Sequence, residues 1–178
     1  AQQQTATVNE TADNQWTVTK DFTNNYQSVT VRIPVTKQVL VENSSTVVQN
    51  HRGGIVLALY AAADATTPAY TTMTDENGNA AFVFSVKRSG YETAKYYYLR
   101  EILPSLDAQV VGMTYETAIA YVIGIDWSDA GNDAPVVTYY RYDASAANGV
   151  GAAVSSALTI TNTYPFYFYH TIFFFKNF

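Results

Sequence analysis

The stretch that decides the fold is Val29-Thr30-Val31-Arg32-Ile33-Pro34-Val35-Thr36-Lys37-Gln38-Val39, where apolar residues recur at every second position up to Val35. This period of two predicts a β-strand. Pro34 has no N–H to donate to a neighbouring strand, so we expect this strand to lie at a sheet edge or to bend there.

Similar patterns predict eight further strands. They cover residues 16–22, 55–60, 70–73, 80–86, 96–103, 115–125, 136–142 and 157–164. The Asn77-Gly78 turn predicts that 70–73 and 80–86 form an antiparallel hairpin. The Ala-rich stretches 61–65 and 144–157 are interpreted as loops or single turns. Short strands at this spacing predict an all-β sandwich or barrel.

The composition favours a folded β-protein and excludes several partners. Hydrophobic residues make up 48% of the chain and charged residues 14%, which is enough apolar surface for a core. A net charge of −5 leaves no basic stripe for nucleic acid or for an anionic membrane surface. The Thr-, Asn- and Tyr-rich character is typical of extracellular proteins, yet Cys is absent. We therefore expect some covalent reinforcement other than a disulfide.

Motifs for common enzymes and cofactors are missing. The chain has no nucleophile elbow, phosphate loop or dinucleotide fingerprint, so no cofactor is predicted. His51 and His170 lack partners at metal-ligand spacing. Asp126, Asp129, Asn132 and Asp133 offer oxygen ligands for calcium from one loop, with a solvated turn as the alternative.

Four phrases occur in a characteristic order. They are Val35-Thr36-Lys37, Tyr96-Tyr97-Tyr98-Leu99-Arg100-Glu101-Ile102, Gly112-Met113-Thr114-Tyr115-Glu116-Thr117 and Ile160-Thr161-Asn162-Thr163-Tyr164. In this combination the chain resembles the pilin isopeptide-linkage domain family of Gram-positive bacteria, over about residues 29–164. The resemblance implies an immunoglobulin-like (CnaB-type) β-sandwich, here with extended N- and C-terminal segments.

The resemblance also implies a self-formed amide cross-link between Lys37 and Asn162, with Glu101 as the catalytic acid. The Lys amine must be neutral to react, and burial lowers its pKa. A protonated Glu101 is expected to hydrogen-bond the carboxamide oxygen of Asn162 and to shuttle a proton. The apolar neighbours expected to keep the site dry are Val35, Val39, Tyr98 and Ile160. The alternative is a Lys37–Glu101 salt bridge at a sheet edge, with Asn162 capping a turn.

The function implied is that of a structural subunit in an extracellular pilus-like filament on the bacterial cell surface. Its partners would be other copies of itself, with neither nucleic acid nor membrane as a partner. The chain would not be an enzyme beyond one autocatalytic turnover. The alternative is an adhesin module that binds a host protein or glycan through Tyr-rich loops.

Both ends are interpreted as segments outside the sandwich. Residues 1–28 are predicted to be an arm and strand, either donated to a neighbouring subunit or left from a preceding module. Within them, residues 1–13 are interpreted as a flexible arm or as a segment ordered only by a partner. Within this segment Lys20 and Asn24 are candidates for a second cross-link or for strand exchange. Residues 165–178 are predicted to be an aromatic strand or interface segment. The expected subunit interface comprises Trp16, Phe22, Phe166, Phe168, Phe173 and Phe175.

Overall fold

The computed structural model describes residues 3–10, 16–23, 28–129, 131, 133–155 and 157–165, the first two ranges by their backbone alone. These residues form strands joined by loops and two 3-10 turns, at Arg88–Gly90 and Ala147–Gly149. The strands are β1 (Gln3–Glu10), β2 (Trp16–Thr23), β3 (Ser28–Val41), β4 (Val56–Tyr60), β5 (Tyr70–Met73), β6 (Asn79–Lys87), β7 (Lys95–Glu101), β8 (Tyr121–Asp126), β9 (Val136–Tyr142), β10 (Val150–Val154) and β11 (Leu158–Tyr164).

Two larger sheets make an all-β sandwich. One has six strands in the order β10-β9-β8-β7-β4-β5, and the other has three in the order β11-β3-β6. β3 runs antiparallel to β6 and parallel to β11. β1 and β2 form a separate two-stranded antiparallel sheet. The strand quoted at the outset is therefore the centre of the smaller sheet.

The main core lies between the two larger sheets. Every second residue of β3 from Val31 to Val39 is buried, as the alternating pattern predicts. Side chains from both sheets pack together there, including Ile33, Val35, Phe82, Leu158 and Ile160 from the smaller sheet and Leu57, Leu59, Leu99, Tyr121 and Ile123 from the larger one. The outer face of the larger sheet carries a second, smaller buried cluster of Ala58, Tyr60, Tyr98 and Val122.

The prediction that this strand lies at a sheet edge is wrong for the strand as a whole, because β3 lies between β11 and β6, but Pro34 itself precedes the pairing with β11. β3 pairs with β6 from Ser28 to Thr36, but its pairing with β11 begins only at Val35. At Pro34 the strand therefore has a ladder on one side only. A residue that lacks an N–H is tolerated where one side carries no ladder.

The predicted hairpin between 70–73 and 80–86 is wrong. The turn itself forms, because the Gly78 N–H donates to the Asp75 carbonyl at 2.9 Å and the Asp75 N–H donates to the Asn79 carbonyl at 2.8 Å. However, β5 pairs with β4 and β6 pairs with β3, so the chain changes sheets at this turn. An Asn-Gly pair favours a local reversal of the chain but does not determine which strands pair with each other.

Three other elements differ from the sequence predictions. β8 begins at Tyr121, because residues 115–120 form no ladder. β10 (Val150–Val154) adds an edge strand next to β9 inside the stretch predicted as loop. β1 (Gln3–Glu10) is a strand paired with β2 of the same chain, whereas residues 1–13 were predicted to be a flexible arm or a segment ordered only by a partner. β1 and β10 have little apolar periodicity, so their form depends on the neighbouring strand.

Within the described residues, no helix is both long enough and apolar enough to span a bilayer.

Candidate functional site

Lys37 and Asn162 lie side by side on the parallel strands β3 and β11. Lys37 is in register with Ile160, and Asn162 is two residues further along β11. Because side chains alternate across a strand, Lys37, Ile160 and Asn162 all face the core between the sheets. The pairing of the first and last strands of the sandwich therefore brings together two residues that are far apart in the sequence.

Glu101 reaches the same place from the opposite sheet. It ends β7, in register with Leu57 on β4. One of its oxygens, Oε2, accepts a hydrogen bond from Lys37 Nζ at 2.5 Å, and the other, Oε1, accepts one from Asn162 Nδ2 at 3.0 Å. A single carboxyl group thus holds both the amine and the carboxamide.

All three polar side chains are buried. The exposed fraction is 0% for Lys37, 2% for Glu101 and 1% for Asn162. An isolated charge in such a place is costly, and a buried ion pair recovers the cost only when its geometry is good. Desolvation lowers the pKa of Lys37 below its ordinary value of 10.5, although the hydrogen bond and charge of Glu101 act in the opposite direction. The amine therefore loses its proton more readily than a lysine in water.

The loop between β7 and β8 closes the site over Asn162. The backbone N–H of Glu116 donates to Asn162 Oδ1 at 2.8 Å. The Met113 sulfur lies 3.8 Å from Asn162 Nδ2, and its side chain is 8% exposed. An N–H donor requires an oxygen acceptor, so the Glu116 contact fixes which end of the carboxamide is the oxygen.

A backbone bridge holds this loop in place. Thr114 and Thr163 exchange two hydrogen bonds, of 2.9 Å from the Thr114 N–H and 3.0 Å from the Thr163 N–H. Thr163 follows Asn162 directly, and Glu116 is two residues beyond Thr114. The same bridge therefore positions the carboxamide and the N–H that binds it.

The turn that connects β5 and β6 positions Lys37 from the other side. The backbone N–H of Lys37 donates to the Gly78 carbonyl at 2.6 Å. Gly78 has a φ of +81°, and a Cβ there would overlap the Lys37 carbonyl oxygen. Glycine is required at this turn both for its backbone angle and for its close approach to β3.

The chemical capacity of this arrangement follows from these contacts. A lysine amine with a lowered pKa is a nucleophile, and a carboxamide carbon is an electrophile held by neighbouring hydrogen bonds. The shared carboxyl group contacts the nitrogen that would attack and the nitrogen that would leave. Water is largely excluded, which strengthens electrostatic interactions with the reacting groups.

Sequence reasoning identified the three central side chains but misplaced two details. Tyr98 was expected beside Lys37, but it lies in the cluster on the outer face of the larger sheet, where its hydroxyl donates to the Asn148 carbonyl at 3.0 Å. Glu101 was expected to bind the carboxamide oxygen, but it accepts from Nδ2, and the oxygen is bound by Glu116. The other expected neighbours, Val35, Val39 and Ile160, are buried.

The alternative interpretation of the same residues is wrong in its location. Lys37 and Glu101 do form an ion pair, but they form it in the interior and not at an exposed edge. Asn162 caps no turn, because it lies within β11.

The sequence analysis did not assign Met113 or the Glu116 backbone to the site. Both belong to the phrase 112–117, which carries part of the resemblance but had no assigned role. Their contacts with Asn162 span 49 and 46 residues. A backbone contact over such a separation leaves no mark on local periodicity.

The remaining predicted positions lie either on β2, where only the backbone is described, or outside the described residues. Lys20 is on β2 in register with Ala6, and Trp16 and Phe22 are on the same strand, with only their backbones described. Outside the described residues are Asn24, Phe166, Phe168, Phe173 and Phe175.

In the candidate calcium loop, two carboxylates accept local hydrogen bonds. Asp126 binds the Ser128 N–H at 2.8 Å, and Asp129 binds the Gly131 N–H at 2.9 Å. Asp133 lies in the same loop, and Asn132 is outside the described residues. Over the part of the chain that the structure describes, no three His, Cys, Asp or Glu side chains are grouped to hold a metal ion.

Comparisons with protein-family models, with curated proteins and with solved structures found no match for this chain.

Proposed function

We propose that this chain is a structural module of an extracellular bacterial filament, locked by a spontaneous amide bond between Lys37 Nζ and Asn162 Cγ. The observation that carries the proposal is the buried triad. An amine and a carboxamide, on adjacent parallel strands, are hydrogen-bonded to the two oxygens of one carboxyl group. The proposal includes the immunoglobulin-like (CnaB-type) variety of β-sandwich, in line with the sequence phrases.

The chemistry starts from the neutral pair. Burial lowers the pKa of Lys37, and transfer of one proton from Nζ to the carboxyl leaves a free amine beside a carboxylic acid. Nζ then attacks Asn162 Cγ. Because both groups are held in one folded site, the reaction gains the large effective concentration of an intramolecular step. Folding therefore precedes the bond.

Glu101 is suited to move the protons, because it contacts both nitrogens. The carboxyl passes the proton that it received to Nδ2 as the bond between Cγ and Nδ2 breaks, and it takes one further proton from Nζ. Ammonia leaves, a secondary amide joins Lys37 to Asn162, and Glu101 ends as it began, with one proton. The exchange needs no cofactor and happens once for each molecule.

The position of the bond suits a module under tension. β3 and β11 run parallel, so the sandwich is entered at Ser28 at one end of this strand pair and left at Tyr164 at the other. A pull on these two points would pass through the Lys37–Asn162 link. The residues between 37 and 162 would then carry none of the extending force.

The test of the bond is the intact mass of the purified chain. Loss of ammonia lowers the mass by about 17 Da. The wild type should show this deficit and Lys37→Ala should not. A wild type with the full mass contradicts the proposal, and a deficit that persists in Lys37→Ala transfers the link to another lysine, with Lys20 as the next candidate.

Assembly in solution separates a filament module from an adhesin. A filament module should form concentration-dependent polymers in light scattering, or should do so once the segments 1–28 and 165–178 are presented to a second copy. A chain that stays monomeric at every concentration and binds one host ligand saturably would instead be an adhesin.

A further inference from the structure

We propose that the backbone N–H of Glu116 is the oxyanion donor for the bond-forming step, a role that rests on the function proposed above. When Nζ attacks Asn162 Cγ, the electrons of the carbonyl move onto Oδ1. The group that binds Oδ1 therefore determines how well the negative charge is stabilised.

The geometry favours the backbone and not the carboxyl for this role. The Glu116 nitrogen lies 2.8 Å from Oδ1 of the unreacted carboxamide, and an oxyanion donor needs about 2.7–3.1 Å from the position that this oxygen takes once Cγ is tetrahedral. Glu101 is at the other end of the carboxamide, 3.0 Å from Nδ2. The two tasks are thus divided, with one group serving the oxygen and the other serving the two nitrogens.

The donor is in place before the reaction. Thr114 is bridged to Thr163, and these residues flank the contact between Glu116 and Asn162. A donor held by a β-bridge needs little reorganisation when charge develops, which is the main source of electrostatic catalysis. The closed loop also keeps the exposed fraction of Asn162 at 1%, so the added charge would meet the N–H and not bulk water.

The side chain of Glu116 opposes the reaction that its backbone N–H is proposed to assist. It is exposed, and its negative charge favours the protonated form of Lys37. Replacing the side chain while keeping the N–H should therefore leave the rate unchanged or raise it. Removing the N–H should lower the rate, and this contrast separates the two parts of one residue.

The full atom balance is unchanged by this assignment. The bond between Nζ and Cγ forms, the bond between Cγ and Nδ2 breaks, and Glu101 moves one proton from Nζ to the departing ammonia. Glu116 gives up no proton; its N–H stabilises Oδ1 while the carbon is tetrahedral and the carbonyl then re-forms.

The experiment follows the mass of full-length chains after they are transferred from denaturant into native buffer. The chains are assembled from synthetic segments under denaturing conditions, so that none has folded or reacted. Wild type, Glu116→Ala, Glu116→Pro and Thr117→Pro are compared. Glu116→Ala keeps the N–H of residue 116. Thr117→Pro introduces a proline ring one residue later and also keeps the N–H of residue 116.

We expect Glu116→Pro to lose ammonia roughly 100 to 1000 times more slowly than wild type, the usual effect of deleting one oxyanion donor. Glu116→Ala and Thr117→Pro should react within a few-fold of wild type. Equal rates for Glu116→Pro and Glu116→Ala would overturn the inference while leaving the cross-link itself established. A wild type that never loses ammonia would remove the proposed function as well.

A second variant keeps the test decisive if Glu116→Pro fails to fold, as judged by near-ultraviolet circular dichroism. Residue 116 is then incorporated as the α-hydroxy analogue of glutamate, which replaces only the N–H by an ester oxygen. The same slowing is expected from this variant, and a rate equal to that of wild type would overturn the inference.

Discussion

Replacing Lys37 by Met measures how much the proposed cross-link stabilises the sandwich. Met keeps most of the apolar stem of lysine and removes Nζ, so the bond cannot form. The link closes a loop between residues 37 and 162. By lowering the entropy of the unfolded chain, a cross-link of that span raises the free energy of unfolding by about 5 kcal/mol at 25 °C. For a chain of this size the corresponding loss of melting temperature is about 10–20 °C.

A second cost must be separated from the first. Lys37→Met also leaves Oε2 of the buried Glu101 carboxyl without the nitrogen that it contacts, and an unsatisfied buried polar group costs about 1–3 kcal/mol. The double variant Lys37→Met/Glu101→Gln replaces this carboxyl by an amide of similar size that cannot carry a charge, and it still lacks the cross-link. Its melting temperature should therefore lie between those of Lys37→Met and wild type.

The assay combines thermal unfolding, followed by circular dichroism, with intact mass on the same samples. Lys87→Met is the matched control, since Lys87 is an exposed lysine at the end of β6. We expect the control to keep the mass deficit and to melt within a few degrees of wild type. If wild type carries the deficit and the double variant melts at the same temperature, the argument from unfolded-state entropy is refuted.

Two further predictions concern the surroundings of Lys37. In Asn162→Ala, which cannot react, the unfolded chain binds more protons than the folded one between the lowered pKa of Lys37 and 10.5. The free energy of unfolding from urea titrations should therefore rise with pH in that window, by at most about 1.4 kcal/mol for each pH unit. A flat profile would mean that Lys37 stays charged in the fold. Separately, Gly78→Ala should destabilise more than Gly54→Ala in the same titrations. Both glycines have positive φ, +81° and +73°, but only at Gly78 would a Cβ overlap another residue. Equal losses would show that backbone angle alone requires these glycines.

Local periodicity predicted most of the strands but not their partners. β3 and β11 follow from alternating residues, because burying one face of a strand requires that pattern. The Asn77-Gly78 turn was also found locally. Nothing in the turn reveals that β5 and β6 lie in different sheets, since partners are chosen by the packing of whole faces against the core.

Two features of the site were also not predicted correctly from the sequence. Tyr98 was assigned to the Lys37 environment as one of its apolar neighbours. Residues one apart on a strand face opposite sides, so Tyr97 and Leu99 share the inner face with Glu101 while Tyr98 does not. The alternation of side chains along a strand would have excluded Tyr98. The same rule could not have predicted the roles of Met113 and the Glu116 N–H.

The sequence by itself determined that the chain is a β-protein with an apolar core, and it singled out Lys37, Glu101 and Asn162. The β-fold and its core follow from residue types and their alternation, which act over a few residues, whereas the three site residues follow from the resemblance of four sequence phrases to a known family. The tertiary structure decided that β3 and β11 are parallel neighbours, that Glu101 bridges both nitrogens, and that a loop N–H binds the carboxamide oxygen. The three hydrogen bonds join residues 46 to 64 positions apart in the chain, and the β3–β11 pairing joins residues still further apart, so all these contacts form only when two sheets enclose a common core.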